Sequence, residues 1–212
     1  HIYCVGNGSR TVILDAGLNQ PGYSWLLVQR EVAKFTRVCS YDRAGHGLSE
    51  PGPNPRTSKR FAKELHTLLR AAQVHGPYLL VGHSSGGINV RTFAALYPQD
   101  VSGLVLVDPS HEDQTARMAG RVTFPEPPIS DRIVDFFRGK FDFIRHYADS
   151  KNYRGWSKQL LFSDEQWQYY IGLMTSDHHL DSTEEEGNSF AGSQAELRAM
   201  NRNLGDKPLT VI

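Results

Sequence analysis

Little in this chain pulls toward an unusual class of protein. Cysteine is nearly absent: two in 212 residues, too few for a disulfide scaffold or a zinc site. Net charge is absent as well, because 23 Lys and Arg face 23 Asp and Glu. Without a global field there is no broad attraction for nucleic acid or an anionic membrane surface, so neither is expected as a partner. No apolar run approaches the ~20 residues of a membrane helix, so no membrane span is expected. The opening His1-Ile2-Tyr3-Cys4 does not read as a signal peptide, and a cytoplasmic setting is favoured. There is no phosphate-binding loop with a Lys-Ser/Thr ending, no internal repeat and no low-complexity tract. What is present is an ordinary globular composition, 39% hydrophobic with 19 Gly and 11 Pro. Disorder, collagen and coiled coil are excluded for the bulk of the chain, which is long enough to bury a core unaided.

Short apolar runs alternate with helical patterns over the first half. Strands are expected at residues 2–5, 11–14, 37–41, 78–81 and 101–107, and a last one at 208–212, so the chain starts and stops in strands. Helices are expected at 25–35, at 85–97 before Pro98, and after Thr57, where Phe61, Leu65, Leu68, Leu69 and Ala72 define one face. The run at 78–81 is apolar without alternation, as a strand covered on both faces should be. Strands alternating with helices indicate parallel βαβ units and a doubly wound sheet. From His111 to Asp206 strand alternation stops. A loop is expected at 124–128, and an apolar helical stripe at Ile133, Phe136, Phe137, Phe141 and Ile144. Ser163 and Gln166 form a capping box, stapled by Phe162 and Trp167, that opens a helix carrying Trp167, Tyr170, Ile171 and Met174 on one face. The acidic stretch 181–187 reads as a solvated face or loop, and 195–204 as a final short helix.

The strongest chemical signal is Gly82-His83-Ser84-Ser85-Gly86, placed between a strand and a helix. A Ser on that sharp turn is strained with its hydroxyl exposed, and small residues two before and two after let the backbone turn. The helix N-terminus beneath it favours developing negative charge. Ser84 is therefore the candidate nucleophile; the plainer alternative is a helix N-cap.

Together with Leu14-Asp15-Ala16-Gly17-Leu18, Tyr41-Asp42-Arg43-Ala44-Gly45-His46-Gly47 and Leu104-Val105-Leu106-Val107-Asp108-Pro109, this motif resembles the α/β-hydrolase fold family over essentially the whole chain. The resemblance implies a mostly parallel sheet with a helical cap inserted after the sixth strand. It divides the chain into core (1–110), cap (111–206) and the start of a returning core strand (207–212). It also implies an oxyanion hole made by the backbone N–H groups of Ser85 and Leu18, although many relatives have His-Gly where this chain has Ala16-Gly17. Ser85 otherwise reads as a plain first helical residue and Leu18 as core. Asp108, at the end of the sixth strand of the fold, is available as the acid that orients a catalytic His, or it merely caps that strand end. The seventh-strand position for the acid falls past Ile212.

The catalytic His should follow an eighth strand, which is not seen. Of the nine His, His83 flanks the nucleophile and reads as packing, and His46 as a residue of the site wall. His66 and His75 belong to an outer helix and its exit. His111 or the pair His178-His179 could reach the site from the cap, and a metal at that pair is disfavoured because sequence neighbours rarely face one ion. Arg43 reads as an ion pair with Asp42 or a loop anchor. Cys4 and Cys39 fall in neighbouring strands of the fold, where a bond is conceivable, but two buried free thiols are the expected state. Trp156, Phe162, Trp167, Tyr169 and Tyr170 read as cap core, with some lining an acyl pocket.

The leading expectation is a serine hydrolase acting on a small-molecule ester or related acyl substrate through an acyl-enzyme, without a cofactor. A carbon–carbon hydrolase or cofactor-free haloperoxidase on the same site is the alternative within enzymes, and a non-catalytic ligand-binding module the alternative outside them. On the family's strand count, one strand belongs before His1. One more strand, its crossover and the terminal helix belong after Ile212, on the order of 50 residues. A further segment or a second chain is thus expected to supply the missing strand and the His, and the 212 residues alone are expected to be unstable and inactive.

Overall fold

This computed structural model describes residues 1–114, 161–200 and 203–212. Six strands form one sheet: β1 (Ile2–Val5), β2 (Thr11–Asp15), β3 (Arg37–Tyr41), β4 (Tyr78–His83), β5 (Val101–Val107) and β6 (Leu209–Val211). Their order is β1-β3-β2-β4-β5-β6, antiparallel between β1 and β3 and parallel elsewhere. Every residue of β2 is buried, which its unbroken apolar run requires of a central parallel strand.

Alternation along the strands sorts the core into two layers. Val12 and Leu14 of β2 face Trp25 and Val38 on one side. Ile13 faces Leu80, Leu104 and Phe93 on the other. The first layer is covered by a 3-10 turn (Gly22–Trp25) running into helix α1 (Leu26–Val32). The second is covered by α2 (Ser58–Ala71) and α3 (Ser85–Leu96). Phe61, Leu65 and Leu69 of α2 are buried as their four-residue spacing predicts, whereas Ala72 falls at the exposed C-cap.

Among the described residues three further helices follow: α4 (Asp164–Met174), α5 (Asp177–Asn188) and α6 (Phe190–Ala199). The Ser163/Gln166 capping box forms in both directions. Trp167, Tyr170, Ile171 and Met174 are buried together against Phe162 and Tyr23. Helix α6 supplies acceptors to the first turn of α2: Ser193 Oγ takes the Ser58 N–H (2.9 Å) and Glu196 Oε2 the Lys59 N–H (3.2 Å). Those donors have no partner inside their own helix. Among the described residues, no helix is long and apolar enough to cross a membrane.

Three expectations are corrected. Cys4 and Cys39 are joined in a disulfide rather than free. The antiparallel register sets them directly opposite each other, which brings facing side chains within bonding reach. The acidic stretch 181–187 is solvated on one face only: it lies inside α5, with Asp181 exposed but Ser182, Thr183, Glu186 and Gly187 buried. The last helix begins at Phe190, straight after α5, with Ser189 ending one helix and starting the next. The loop at 124–128, the stripe from Ile133 to Ile144, and Trp156 lie outside the described residues.

Candidate active site

Strand β4 ends at His83 and α3 begins at Ser85. Between them Ser84 sits at φ 51°, ψ −121°, a conformation L-residues hold only under strain. Three hydrogen bonds fix the turn: Ser84 N–H donates to Val107 O (3.2 Å), and Ser84 O accepts from Gly87 N–H and Ser110 N–H (both 2.9 Å). Gly86 lets α3 approach the end of β2, because a side-chain carbon there would stand 2.5 Å from Asp15 O. The Ser85 N–H opens α3 and lacks an intrahelical acceptor.

The loop after β2 runs beside this elbow. A carbon added to Gly17 would lie 3.4 Å from Ser84 Cβ. Gly17 N–H donates to Gln20 Oε1 (3.1 Å) and Gln20 N–H returns a bond to Gly17 O (3.1 Å). Gln20 Oε1 also stands 3.3 Å from His83 Nδ1. Among the described residues, no backbone acceptor takes the Leu18 N–H. The Ser84–Ser85 elbow and the loop carrying Gly17 and Leu18 thus lie together at the carboxyl ends of β4 and β2, where open α/β sheets bind ligands.

Asp108 follows β5 at φ 40° and is exposed, with its N–H on Ile212 O (2.9 Å). Val107 pairs with His83 in register, so Asp108 stands one step beyond the elbow. Burial lowers the His83 pKa, and the negative charge of Asp108 partly opposes this.

A family model described as the alpha/beta hydrolase fold matches residues 10–164. The chain belongs to the α/β-hydrolase fold family. It is 34% identical over 108 residues to the uncharacterized protein YqjL of Bacillus subtilis (strain 168), covering 51% of this chain and 43% of that one. Among solved structures it resembles Cfl2 of Burkholderia cenocepacia, with a TM-score of 0.68 and 23% identity over 100% of this chain and 74% of that one. It also resembles the epoxide hydrolase CorEH, with a TM-score of 0.64 and 21% identity over 90% and 68%. The chain spans less than half the length of the curated relatives it matches.

In this α/β-hydrolase chain His111, His178 and His179 are engaged away from Ser84. His178 Nε2 lies 3.0 Å from Gly47 O. His179 is buried between the Gly47 N–H, which donates to its Nδ1 (3.0 Å), and Asn19 Oδ1, 3.0 Å from its Nε2. His111 sits among Glu112, Asp113 and Gln114. None of these three is hydrogen-bonded to the nucleophile: no hydrogen bond joins Ser84 Oγ to a described histidine. His46 is fully buried, so it does not line an open wall.

Arg43 is an ion-paired loop anchor, as the sequence suggested, but its partners were not foreseen. Arg43, only 3% exposed, does not pair with Asp42. Its Nη1 donates to Asp15 Oδ1 (3.0 Å) and Ala16 O (2.8 Å). Its Nη2 donates to Gly17 O (2.8 Å) and Glu186 Oε2 (3.1 Å). Asp15 also accepts from Tyr41 Oη (2.6 Å), and His46 Nε2 lies 3.0 Å from Glu186. Burial pushes the Asp15 carboxyl up, and Arg43 only partly compensates. Burial also pushes Glu186 up, but Arg43 and His46 together outweigh it and hold Glu186 at about 2. Burial lowers His46 and takes His179 down to about 3. Asp42 instead accepts from Gly22 N–H (2.6 Å) and Leu48 N–H (3.1 Å). Among the described residues, no cluster of His, Cys, Asp and Glu is arranged to hold a metal.

Proposed function

We propose that the protein containing this chain is a serine hydrolase of small-molecule esters or related acyl compounds. The observation that carries the reading is the strained Ser84 between β4 and α3, with the Gly17 loop so near that a side-chain carbon added there would touch Ser84 Cβ. In this reading Ser84 Oγ attacks the substrate carbonyl, and its proton passes to a histidine acting as general base. The carbonyl oxygen becomes an oxyanion held by the Ser85 and Leu18 N–H groups. The histidine then protonates the leaving alcohol. Water, deprotonated by the same histidine, cleaves the acyl-enzyme and restores Ser84. Asp108 orients the histidine, and no step calls on a cofactor. In this reading α4, α5 and α6 belong to a cap over the substrate, with α4 and α5 closing the side near Tyr23 and Asn19.

The test is fluorophosphonate labelling of the full-length protein together with turnover of p-nitrophenyl esters from acetate to octanoate. Labelling is expected on Ser84. Ser84→Ala should abolish it and lower kcat roughly 10³-fold or more. Asp108→Asn should lower kcat/KM by at least roughly 10²-fold. A folded protein that neither labels nor turns over esters overturns the reading and favours a ligand-binding module. Turnover restricted to carbon–carbon or peroxide substrates moves the chemistry to those classes.

A further inference from the structure

The Gly17 carbonyl and the Leu18 N–H belong to one planar trans peptide, so they point in opposite directions. Fixing the oxygen fixes the N–H. Gly17 O is fixed twice, by Arg43 Nη2 at 2.8 Å and by Gln20 N–H at 3.1 Å. The preceding peptide is held as well, because Ala16 O accepts from Arg43 Nη1 (2.8 Å). So is the Asn19–Gln20 peptide two steps on, whose Asn19 O lies 3.2 Å from His179 Nε2. Asn19 Oδ1 accepts from Thr183 Oγ1 (2.7 Å).

The guanidinium that reaches both carbonyls is aimed by two carboxylates, Asp15 from β2 and Glu186 from α5. Glu186 lies 143 residues from Arg43 in sequence, and His179 and Thr183 stand on the same helix. Helix α5 therefore grips the loop from behind, on the side of the peptide plane away from the Leu18 N–H. Free rotation of a Gly-containing peptide is cheap, so an ungripped Gly17–Leu18 unit would be free to turn its N–H away.

We infer that Arg43, aimed by Glu186 of α5, is a positioning residue that sets the direction of the Leu18 N–H in the oxyanion hole. The inference rests on the proposed role of Leu18. It makes α5 part of the catalytic scaffold, because displacing the helix releases the donor. Neither residue touches substrate, so the effect should fall on the transition state and spare substrate binding.

The experiment uses the full-length protein, with kcat counted per fluorophosphonate-titrated site so that unfolded molecules drop out. Arg43→Lys keeps the charge but cannot reach Glu186, Ala16 O and Gly17 O together. It should lower kcat per site roughly 10- to 100-fold with KM within about 2-fold. Inhibition by an alkyl trifluoromethyl ketone, which forms a tetrahedral oxyanion on Ser84, should weaken by the same factor. Glu186→Gln is isosteric and should give a smaller loss of the same pattern; it is read in place of Arg43→Lys if the latter does not fold. If Ser84→Ala still labels and turns over, the functional reading itself fails. If Ser84 labels in the parent protein while both folded variants keep kcat per site and ketone affinity, only the positioning inference is overturned. Failure of both variants to fold also overturns it, by making the network a folding determinant alone.

Discussion

Ser84 carries a cost that its chemistry explains. Holding a residue with a β-carbon at φ 51° and ψ −121° opposes stability by about 1–3 kcal/mol. Glycine tolerates that conformation but adds chain entropy to the unfolded state, about 0.4–1 kcal/mol. Ser84→Gly should therefore stabilise the fold by about 0.5–2 kcal/mol while eliminating ester turnover, whereas Ser84→Ala should leave the urea midpoint nearly unchanged. Equal midpoints for the Gly and Ala variants would show that the elbow is not strained. This residue was legible because its signal is local: two small neighbours, a strand before and a helix after. Arg43 was legible only as an ion pair or loop anchor, and Glu186 was not legible at all. Their partners are far away in sequence, and an acidic run such as Glu184-Glu185-Glu186 looks solvated until a single buried cation claims one member.

Among the elements, strands were read closely because the apolar runs end at turn residues: β1, β3 and β5 match their expected limits. Helix α5 was missed because its buried stripe is polar. His179, Ser182, Thr183 and Glu186 keep the i, i+3, i+4, i+7 spacing of a packed face, but a periodicity sought in apolar residues passes over it. The start of α6 was missed because no Gly or Pro separates it from α5. The pairing of Cys4 with Cys39 depended on register, which a list of strands does not contain. That bond ties the antiparallel edge strand β1 to β3 across 35 residues. On loop entropy it contributes about 3–4 kcal/mol. Denatured, unreduced protein should show no free thiol from this pair, and Cys39→Ser should lower the unfolding free energy by that amount. Stoichiometric labelling of both cysteines without reductant would refute the pairing.

At the scale of the molecule, α5 and the sheet meet through ionisable groups, so the junction should be sensitive to acid. His46 and His179 are buried neutral, with pKa values below their ordinary 6.5. An unfolded chain takes up protons on both as pH falls through 6.5, and the folded chain takes them up only at lower pH. His179 therefore removes up to about 1.4 kcal/mol per pH unit from below 6.5 down to about pH 3, and His46 acts in the same direction. Glu186 acts in the same direction but lower: its stabilisation is complete above its ordinary 4.5 and is lost as pH falls toward about 2. Asp15 opposes them. Its folded pKa lies above the ordinary 3.8, so acidification between those two values favours the fold. The net expectation is a urea midpoint that declines between pH 7 and 5, where only the histidines act in full. His179→Gln, which can still accept from Gly47 and donate to Asn19, should remove up to one proton from that slope. Hydrogen exchange should show α5 losing protection before β2 and β4 over the same interval, because the titrating groups lie at the junction and not in the apolar layers. A midpoint independent of pH from 7 to 5, or an unchanged slope in a folded His179→Gln protein, would mean that these rings do not control the docking of α5 on the sheet.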